Sequence, residues 1–347
     1  MDAMCLETLG AISADSEPLV FKRLPTPAAA PGEVLIHVAA CGVCHTELDE
    51  IEGRLPPAEL PRILGHQVVG HIASVGDGVS IRRPGERVGV GWIASACGEC
   101  EYCCSGRENL CADFCGTGLD IDGGYAEYMV VDARYAVPLP EGLEDIQAAP
   151  MLCAGAIGYR SLSLAGIENG QRLGLTGFGG SAHLVLPLAR HLYPDSPVYV
   201  FARDEQSREF ARSLGADWAG DTTDAAPQPL HAIIDTTPAW LPVVSAMSQL
   251  LPGGRLVINA IRKEDRDNTV LTSLDYPRDL WRGKEIKTVA NVTRRDIVEF
   301  LRLAAEAGIR PEVECFSLRD ANRALVSLKT RQVRGAKVLV MDGDAAE

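Results

Sequence analysis

Four cysteines stand in one short stretch of the chain, separated by gaps of two, two and seven residues; they are Cys97, Cys100, Cys103 and Cys111. Zinc binds four thiolates at tetrahedral corners about 2.3 Å away, and two-residue gaps let successive sulfurs turn toward one point. Because four thiolates leave no coordination position open, the spacing predicts a closed, structural zinc site. Cys104 and Cys115 stand nearby, and Cys104 could replace Cys103 only by breaking the two-residue rhythm.

A second set of possible metal ligands is spread over three separated segments. Cys44 stands in the run CGVCHTE, His66 follows a glycine, and Cys153 stands in the run PMLCAG. Each residue alone says little, because an isolated cysteine is usually a small core residue. Together they offer two thiolates and one imidazole, a three-ligand set that suits catalytic zinc, whose fourth position is left to water or substrate.

A glycine-rich turn follows a predicted strand and opens a predicted helix; its residues are Gly177, Gly179, Gly180, Ser181 and Ala182. The run fits the pattern G-x-G-x-x-(G/A), in which the first glycine makes the tight turn and the second admits a pyrophosphate to the backbone. The small third residue lets the helix pack on the strand, and the pyrophosphate rests at the helix N-terminus. Its placement between strand and helix predicts a dinucleotide site rather than a merely structural turn.

The choice between NAD(H) and NADP(H) is expected to depend on the end of the next strand. An acidic residue about 20 positions after the glycine turn would bind the ribose 2′-hydroxyl of NAD. That position holds Ala202, followed by Arg203, whose forked donors suit a 2′-phosphate, so we expect a preference for NADP(H). Alternatively, Arg203 stacks on adenine or faces solvent, or Asp204 reaches the ribose and restores NAD(H). We expect His183 and Arg208 to be ordinary helix-face residues.

The elements that would position these residues change character along the chain. Over residues 31–130, short apolar runs separated by proline and glycine turns predict a small β-barrel-like domain. From about residue 155, predicted strands at 172–177, 198–202, 232–235 and 255–258 alternate with predicted helices at 180–192 and 204–214. Such alternation is typical of a doubly wound parallel sheet. A helix at 297–307 and a strand at 337–341 close the chain, and Pro187 is expected to kink the first of the helices.

Composition narrows the classes of function. The 347 residues allow about two domains, and 46% hydrophobic with 23% charged residues excludes a disordered chain. A formal net charge of −14 argues against a nucleic-acid partner. No secretory signal and no apolar run of about 18 residues is readable, so we expect no membrane partner and a cytoplasmic location. In that reducing compartment the 11 cysteines would be metal ligands or free thiols rather than disulfides.

Over essentially its whole length the chain resembles the zinc-dependent medium-chain alcohol dehydrogenases. The resemblance is carried by the four-cysteine loop and by the runs at 41–46, 65–66 with Gly70, 123–128 and 153–155. It implies an α/β architecture with a GroES-like, partly open β-barrel catalytic domain over residues 1–154 and 292–347. It also implies a doubly wound parallel-sheet Rossmann domain, which binds the nucleotide, over residues 155–291.

The family resemblance assigns roles to particular residues. It implies that the catalytic zinc is held by Cys44, His66 and Cys153. The position of Thr46 supplies the hydroxyl that hydrogen-bonds the zinc-bound alcohol oxygen, and the position of His45 contacts the cofactor pyrophosphate. Trp92 stands where the family lines and narrows its substrate pocket.

Three positions depart from the family pattern. Gln67 stands where the family usually has a glutamate near the zinc, so we expect a more Lewis-acidic ion. Glu47 replaces the more common aspartate that holds the zinc-binding imidazole, and it is expected to orient that ring. Asp49 stands where a histidine often ends the proton relay. It either accepts the proton itself, with direct transfer to water as the alternative, or is a solvated surface carboxylate.

The resemblance therefore implies reversible hydride transfer between a primary or slim alcohol, or its aldehyde, and NADP(H) or NAD(H), with two zinc ions per chain. A polyol or secondary-alcohol dehydrogenase is the alternative within the superfamily, although Cys153 argues mildly against it because the polyol branch often has a carboxylate there. A zinc-free quinone or enoyl reductase would lack both cysteine sets. A non-catalytic zinc- and nucleotide-binding protein is the alternative from another class, and an incomplete ligand set would favour it.

Family members are dimers or tetramers, so we expect a homodimer or homotetramer. Six cysteines are assigned to the two predicted metal sites. The remaining thiols are expected to be free and mostly structural; they are Cys5, Cys41, Cys104, Cys115 and Cys315.

Overall fold

Two units fold from the chain, and the structure, a computed structural model, describes residues 1–330 and 335–341. One unit comprises Met1–Cys153, Val292–Ala305 and the chain from Arg310 onward. The other comprises Ala154–Asn291 and Glu306–Ile309. The boundaries expected from the sequence lie after residue 154 and before residue 292, next to the points where the chain passes from one unit to the other. The assignment of Glu306–Ile309 to the second unit was not expected.

The described residues form strands and helices that are numbered here in chain order. The strands are β1 (Asp2–Leu6), β2 (Leu19–Arg23), β3 (Glu33–Val43), β4 (Arg62–Ile63), β5 (Val68–Val75), β6 (Arg87–Val90), β7 (Ile93–Ser95), β8 (Cys115–Gly116), β9 (Tyr128–Asp132), β10 (Val137–Pro138), β11 (Leu173–Thr176), β12 (Val198–Phe201), β13 (Trp218–Gly220), β14 (Leu230–Asp235), β15 (Leu250–Ile258), β16 (Glu285–Thr288), β17 (Val313–Ser317) and β18 (Ala336–Val340). The helices are α1 (His45–Ile51), α2 (Glu101–Cys104), α3 (Asp145–Pro150), α4 (Ala156–Ala165), α5 (Ala182–Leu192), α6 (Glu205–Ser213), α7 (Leu241–Gln249), α8 (Arg294–Glu306) and α9 (Ala321–Thr330). Among the residues described, no helix is both long and apolar enough to cross a membrane.

The first unit is organised around β3. The strand order is β10-β6-β5-β3-β18-β17, and β9 also pairs with β3. β3 pairs antiparallel with β5, β9 and β18, and its register with β5 shifts at two places. Such irregularities bend a strand, which lets one long strand serve several partners around a curved sheet. The side chains of Val34, Ile36 and Val38 are fully buried, as expected for alternating residues that face a core.

The second unit contains a parallel sheet in the order β13-β12-β11-β14-β15-β16. Strands β11 and β12 are buried throughout, as expected for central strands covered on both faces. Reading outward from β11, this is the doubly wound order 3-2-1-4-5-6. The prediction of an α/β chain with a doubly wound sheet is therefore confirmed.

Several element boundaries differ from the sequence prediction. Helix α5 begins at Ala182 rather than at residue 180 and continues through Pro187 to Leu192. The short strands β13 and β16, at the two edges of the sheet, were not predicted, because β13 has only three residues and β16 is exposed along its length. Strands β1 and β2 precede the region in which the apolar runs predict strands.

Candidate metal and cofactor sites

Cys44 stands immediately before helix α1, and Glu47 closes the start of that helix. One carboxylate oxygen of Glu47 (Oε2) accepts a hydrogen bond of 2.7 Å from the backbone N–H of Cys44. Because the first N–H groups of a helix have no partner within the helix, a glutamate at the third helical position commonly reaches back in this way. The contact fixes the backbone that carries the Cys44 thiol.

The other carboxylate oxygen of Glu47 orients a histidine. Oε1 lies 2.7 Å from Nδ1 of His66, and both side chains are buried. A metal-binding imidazole usually gives one ring nitrogen to such a partner and keeps the other for the ion. This geometry leaves Nε2 of His66 as the nitrogen that could face a metal.

Gly65 is needed for the close packing beside His66. Its φ is +98°, and a Cβ there would lie 2.4 Å from the Tyr125 ring and 2.9 Å from Sγ of Cys41. Any other residue would therefore clash and would also adopt an unfavourable backbone conformation. The backbone therefore requires a glycine at position 65, immediately before His66.

Cys153 lies in a π-helical turn, Met151–Gly155, between α3 and α4. The structure brings its sulfur together with the Cys44 sulfur and a ring nitrogen of His66, with all three atoms within 4.8 Å of one another. Thr46 is beside them, with Oγ1 3.7 Å from the Cys44 sulfur. Two sulfurs and one imidazole at this spacing fit an ion at about 2.0–2.3 Å from each ligand atom.

The three possible ligands of this group differ in how readily each loses its proton. A hydrogen bond from Cys153 and the contact with His66 lower the pKa of the Cys44 thiol well below its ordinary value, although burial opposes this. The same hydrogen bond and burial raise the pKa of the Cys153 thiol. Burial lowers the pKa of His66, but the Glu47 carboxylate and Cys44 outweigh it and raise this pKa well above the ordinary value. Cys44 is thus the thiol of this group whose anionic form is favoured, and a bound ion would have to displace the protons held by Cys153 and His66.

Asp49 is not a solvated surface carboxylate, so that alternative is wrong. Its side chain is 7% exposed, and its Oδ1 accepts a hydrogen bond of 2.6 Å from Nε of Arg54.

Trp92 packs edge-on against the His66 imidazole, with ring centroids 5.0 Å apart and an interplanar angle of 81°. Gln67 is buried, and a Cβ at Gly42 would come within 2.8 Å of its side chain.

Glu50 is a buried acid that sequence reasoning missed. Both of its carboxylate oxygens are buried without a hydrogen-bond partner among the described residues. Burial and the nearby Glu47 carboxylate raise the pKa of Glu50 well above its ordinary value. This burial could not be predicted, because Glu50 stands in an acidic run that is typical of an exposed helix face.

The four-cysteine loop also closes on one point. The ligand sulfurs of Cys97, Cys100, Cys103 and Cys111 lie within 4.8 Å of one another. The backbone N–H groups of Cys100 and Cys103 donate to the sulfurs of Cys97 and Cys100 at 3.3 Å and 3.5 Å. Cys104 is exposed and its thiol donates to the carbonyl of Glu99, and Cys115 lies in β8 opposite Ser95. The structure therefore does not exchange Cys104 for Cys103.

The glycine-rich turn lies between β11 and α5. Gly177 has φ +76°, and a Cβ there would lie 2.8 Å from Cγ2 of Thr237 and 2.9 Å from Oγ1 of Thr236. At Gly179 a Cβ would meet nothing within 4 Å, so the backbone there borders open space. Ser181 stands before the first residue of α5, and its side chain makes no capping hydrogen bond. This turn has the open backbone and helix start that a pyrophosphate requires.

The residues after β12 are arranged around helix α6. Asp204 caps this helix, accepting hydrogen bonds from the backbone N–H and the hydroxyl of Ser207 at 2.7 and 2.8 Å. Ala202 is buried and Arg203 is exposed. Arg208 was expected to be an ordinary helix-face residue, but its Nη1 donates to the carbonyls of Ala202 and Arg203 at 2.7 and 3.1 Å. Arg208 therefore fixes the backbone of the segment predicted to contact the ribose.

Comparisons with known proteins identify the family of the chain. Residues 30–141 match the family described as the alcohol dehydrogenase GroES-like domain. The chain is 41% identical to a probable alcohol dehydrogenase AdhA of Mycobacterium tuberculosis, over 94% of both chains. The chain belongs to the medium-chain alcohol dehydrogenase family. An alcohol dehydrogenase of Geobacillus stearothermophilus is 34% identical, over 94% of this chain and 96% of its own.

Solved structures give the same family fold. A cinnamyl alcohol dehydrogenase from Sorghum bicolor superposes with a TM-score of 0.82 at 28% identity, over 100% of this chain and 98% of its own. The family resemblance and the GroES-like and Rossmann-type architecture inferred from the sequence are therefore confirmed. As a member of this family the chain is an oxidoreductase of the alcohol dehydrogenase type.

Proposed function

We propose that the chain is a zinc-dependent alcohol dehydrogenase that interconverts a primary or slim alcohol and its aldehyde with NADP(H). The observation that carries this proposal is the convergence of Cys44, His66 and Cys153, with the Thr46 hydroxyl beside them. When bound, zinc would act there as a Lewis acid that polarises the substrate oxygen. An ordinary buried cysteine pair would not need a histidine whose second nitrogen is held by a buried carboxylate.

The side chains around this group have distinct tasks in the proposed reaction. Glu47 fixes both the start of α1 and the His66 ring, so two ligands keep their direction. Thr46 carries the hydroxyl that would accept the substrate proton and pass it on. We propose Asp49 as the next acceptor on the same helix, with its carboxylate oriented by Arg54. Trp92 would restrict the substrate to slim molecules, because its ring packs beside the imidazole.

The four-cysteine loop is proposed to hold a second zinc that has no catalytic task. Its thiols fill all four tetrahedral positions, so neither water nor substrate could bind the ion. The ion would order a loop that contains little regular structure, the short helix α2 and one 3₁₀ turn at Glu108–Leu110.

The proposed preference for NADP(H) is supported by the segment after β12. Asp204 is engaged in capping α6, so its carboxylate has a local task that competes with ribose binding. The side chain of Arg203 is exposed and able to approach a 2′-phosphate. His45, which is exposed at the start of α1, is proposed to contact the pyrophosphate that the glycine turn receives. A homodimer or homotetramer remains the proposed assembly.

Steady-state turnover tests these proposals directly. A panel of alcohols and aldehydes is assayed with both nicotinamide cofactors, and the metal content of the same sample is measured. We expect activity on primary alcohols, a preference for NADPH and about two zinc ions per chain. Preference for NADH would overturn the cofactor assignment. A zinc content near one would show that one of the two sites is misassigned, and absence of any turnover would contradict the enzymatic proposal.

A further inference from the structure

A buried ion pair lies in the second unit, outside the residues that the proposed mechanism uses. Asp235 is the last residue of β14 and is fully buried, and Oδ2 of its carboxylate contacts Nζ of Lys263, whose side chain is 8% exposed. Lys263 stands in the loop that follows β15. A buried ion pair on its own contributes little net stability, because removing both charges from water offsets their attraction. Its presence at this edge of the sheet therefore calls for another explanation.

Both charges have several partners. Oδ1 of Asp235 accepts hydrogen bonds from the hydroxyls of Thr176 and Thr237 at 2.6 and 2.8 Å. Nζ of Lys263 donates to the carbonyls of Thr237 and Ala239 at 2.7 and 3.0 Å. The network therefore joins the end of β11, the loop after β14 and the loop after β15. Such a satisfied network rigidifies the segments that it connects.

The network holds the loop after β14 against the glycine-rich turn. Thr176 directly precedes Gly177, and Thr236 donates through both its N–H and its hydroxyl to the Thr176 carbonyl at 3.0 Å. The side chains of Thr236 and Thr237 fill the space that a Cβ at Gly177 would need. The loop containing Thr236–Ala239 is thus packed on the turn proposed to receive the pyrophosphate. The position of this loop therefore determines how much space remains for a ligand beside the glycine-rich turn.

The strand order indicates which half of a dinucleotide this loop would meet. In a doubly wound sheet the two halves of the ligand lie on opposite sides of the point where the strand order reverses, here between β11 and β14. The proposed ribose segment follows β12, so the adenosine half belongs on that side. The nicotinamide half is left for the carboxyl ends of β14 and β15.

A second observation at this edge points to a polar ligand. Asn259 directly follows β15, and its N–H donates to the carbonyl of Asp235 at 2.9 Å. Its side-chain amide nitrogen is buried and has no hydrogen-bond partner among the residues that the structure describes. Buried donors are nearly always paired, so an unpaired amide at a ligand-binding edge indicates a group that arrives with the ligand.

We propose that Asp235 and Lys263 are positioning residues, which hold the Thr236–Ala239 loop in the conformation that receives the nicotinamide half of the dinucleotide. The inference rests on the proposed dinucleotide function. It predicts that breaking the pair weakens binding of the whole dinucleotide but not of its adenosine half. A purely structural pair would instead change both affinities together, or neither.

The test compares two ligands on the same variants. Binding of NADPH, or of NADH if wild type prefers it, is titrated by nicotinamide fluorescence, and binding of AMP or its 2′-phosphorylated form by calorimetry. For Lys263→Met we expect dinucleotide affinity to fall by about tenfold and fragment affinity by less than about twofold. The control is Arg255→Gln, which breaks a more exposed ion pair with Glu285 in the same sheet and should change neither affinity.

A second variant guards against simple unfolding. Lys263→Met leaves an unpaired buried carboxylate, whereas Asp235→Asn with Lys263→Met removes both charges and keeps an acceptor for the two threonines. We expect the double variant to show the same selective loss of dinucleotide binding. Equal loss of both ligands, or no loss, would overturn the positioning role. If wild type binds neither ligand, the dinucleotide function itself fails, and the positioning role fails with it.

Discussion

The two sulfur-containing groups of the first unit are assembled in opposite ways. The four-cysteine group lies within residues 97–111, where backbone N–H groups of the loop itself donate to its sulfurs. The three residues of the other group lie in separate segments. Cys44 stands at the start of helix α1, His66 follows Gly65, and Cys153 lies in the π-helical turn. The first group depends on local chain geometry, and the second depends on the whole barrel unit being folded.

This difference predicts a separation of roles. A metal held by one loop stabilises that loop and has no open position, so its loss should affect stability. A metal held by distant segments of an already folded unit can keep an open position, so its loss should affect turnover. Variants of the four-cysteine group should therefore lose mainly stability, and variants of the three-residue group should lose mainly turnover.

The largest effect is expected for Cys44→Ser. It removes one thiolate from the three-ligand group, so alcohol oxidation should fall by more than about 100-fold while the thermal unfolding midpoint changes little. Zinc content should fall by about one ion per chain. The matched control is Cys315→Ser at an exposed thiol, which should match wild type in both assays. Wild-type turnover by Cys44→Ser would remove the basis of the catalytic assignment.

Cys97→Ser is expected to produce the complementary result. Loss of the four-thiolate ion should lower the free energy of unfolding by several kcal/mol, because binding energy of structural zinc contributes to folding. Differential scanning calorimetry and metal analysis measure this, and Cys104→Ser in the same loop is the control because Cys104 is exposed and outside the group. Equal losses in the two variants would show that Cys104 is a ligand after all.

Glu47→Gln should have an intermediate effect on the open group. The amide of glutamine has one uncharged acceptor oxygen and so cannot accept from both His66 Nδ1 and the Cys44 N–H, and zinc affinity should therefore fall by about 10–100-fold. Competition with a chelator of known affinity measures this change. Since Glu47 does not contact the four-cysteine loop in any described interaction, the second zinc of the same sample serves as an internal control. Unchanged retention of both ions would exclude the orienting role.

The smallest effect concerns the buried acid Glu50. Because burial raises its pKa, the unfolded chain releases this proton at a lower pH than the folded chain does, and the wild type loses stability as pH rises above about 4.5. Glu50→Gln should therefore be more stable than wild type near pH 7, and the gain should shrink as the pH falls to about 4.5 and below. Urea unfolding at several pH values measures it. A pH-independent difference would contradict the shifted pKa.

The sequence predicted what depends on residue type and spacing. The four-cysteine rhythm, the glycine turn and the alternation of strands and helices each have a local physical meaning, so the α/β class and the candidate ligands could be named before the structure was known. Residue types alone suggested the three-segment group only weakly, and the family resemblance supplied the roles of its members, because local sequence does not indicate that Cys44, His66 and Cys153 meet.

Other features could not be predicted, because they arise only when distant residues become buried together. Asp235 and Lys263 are ordinary charged residues in sequence, and their pairing depends on the adjacency of β14 and β15. The contact of Asp49 with Arg54 and that of Arg208 with the Ala202 carbonyl join residues only five and six positions apart, but residue type and spacing alone do not specify them. Short edge strands such as β13 were missed because three residues give too little periodicity.

The π-helical turn at Met151–Gly155 has a consequence for how this protein can change by mutation. A π turn amounts to one extra residue inserted into a helix, and each helical residue advances the direction of a side chain by about 100°. Deleting a single residue such as Leu152 would restore an ordinary α-helical repeat and rotate Cys153 relative to α3 by about that angle. A one-codon deletion would thus displace a proposed metal ligand without replacing any of the residues proposed as ligands.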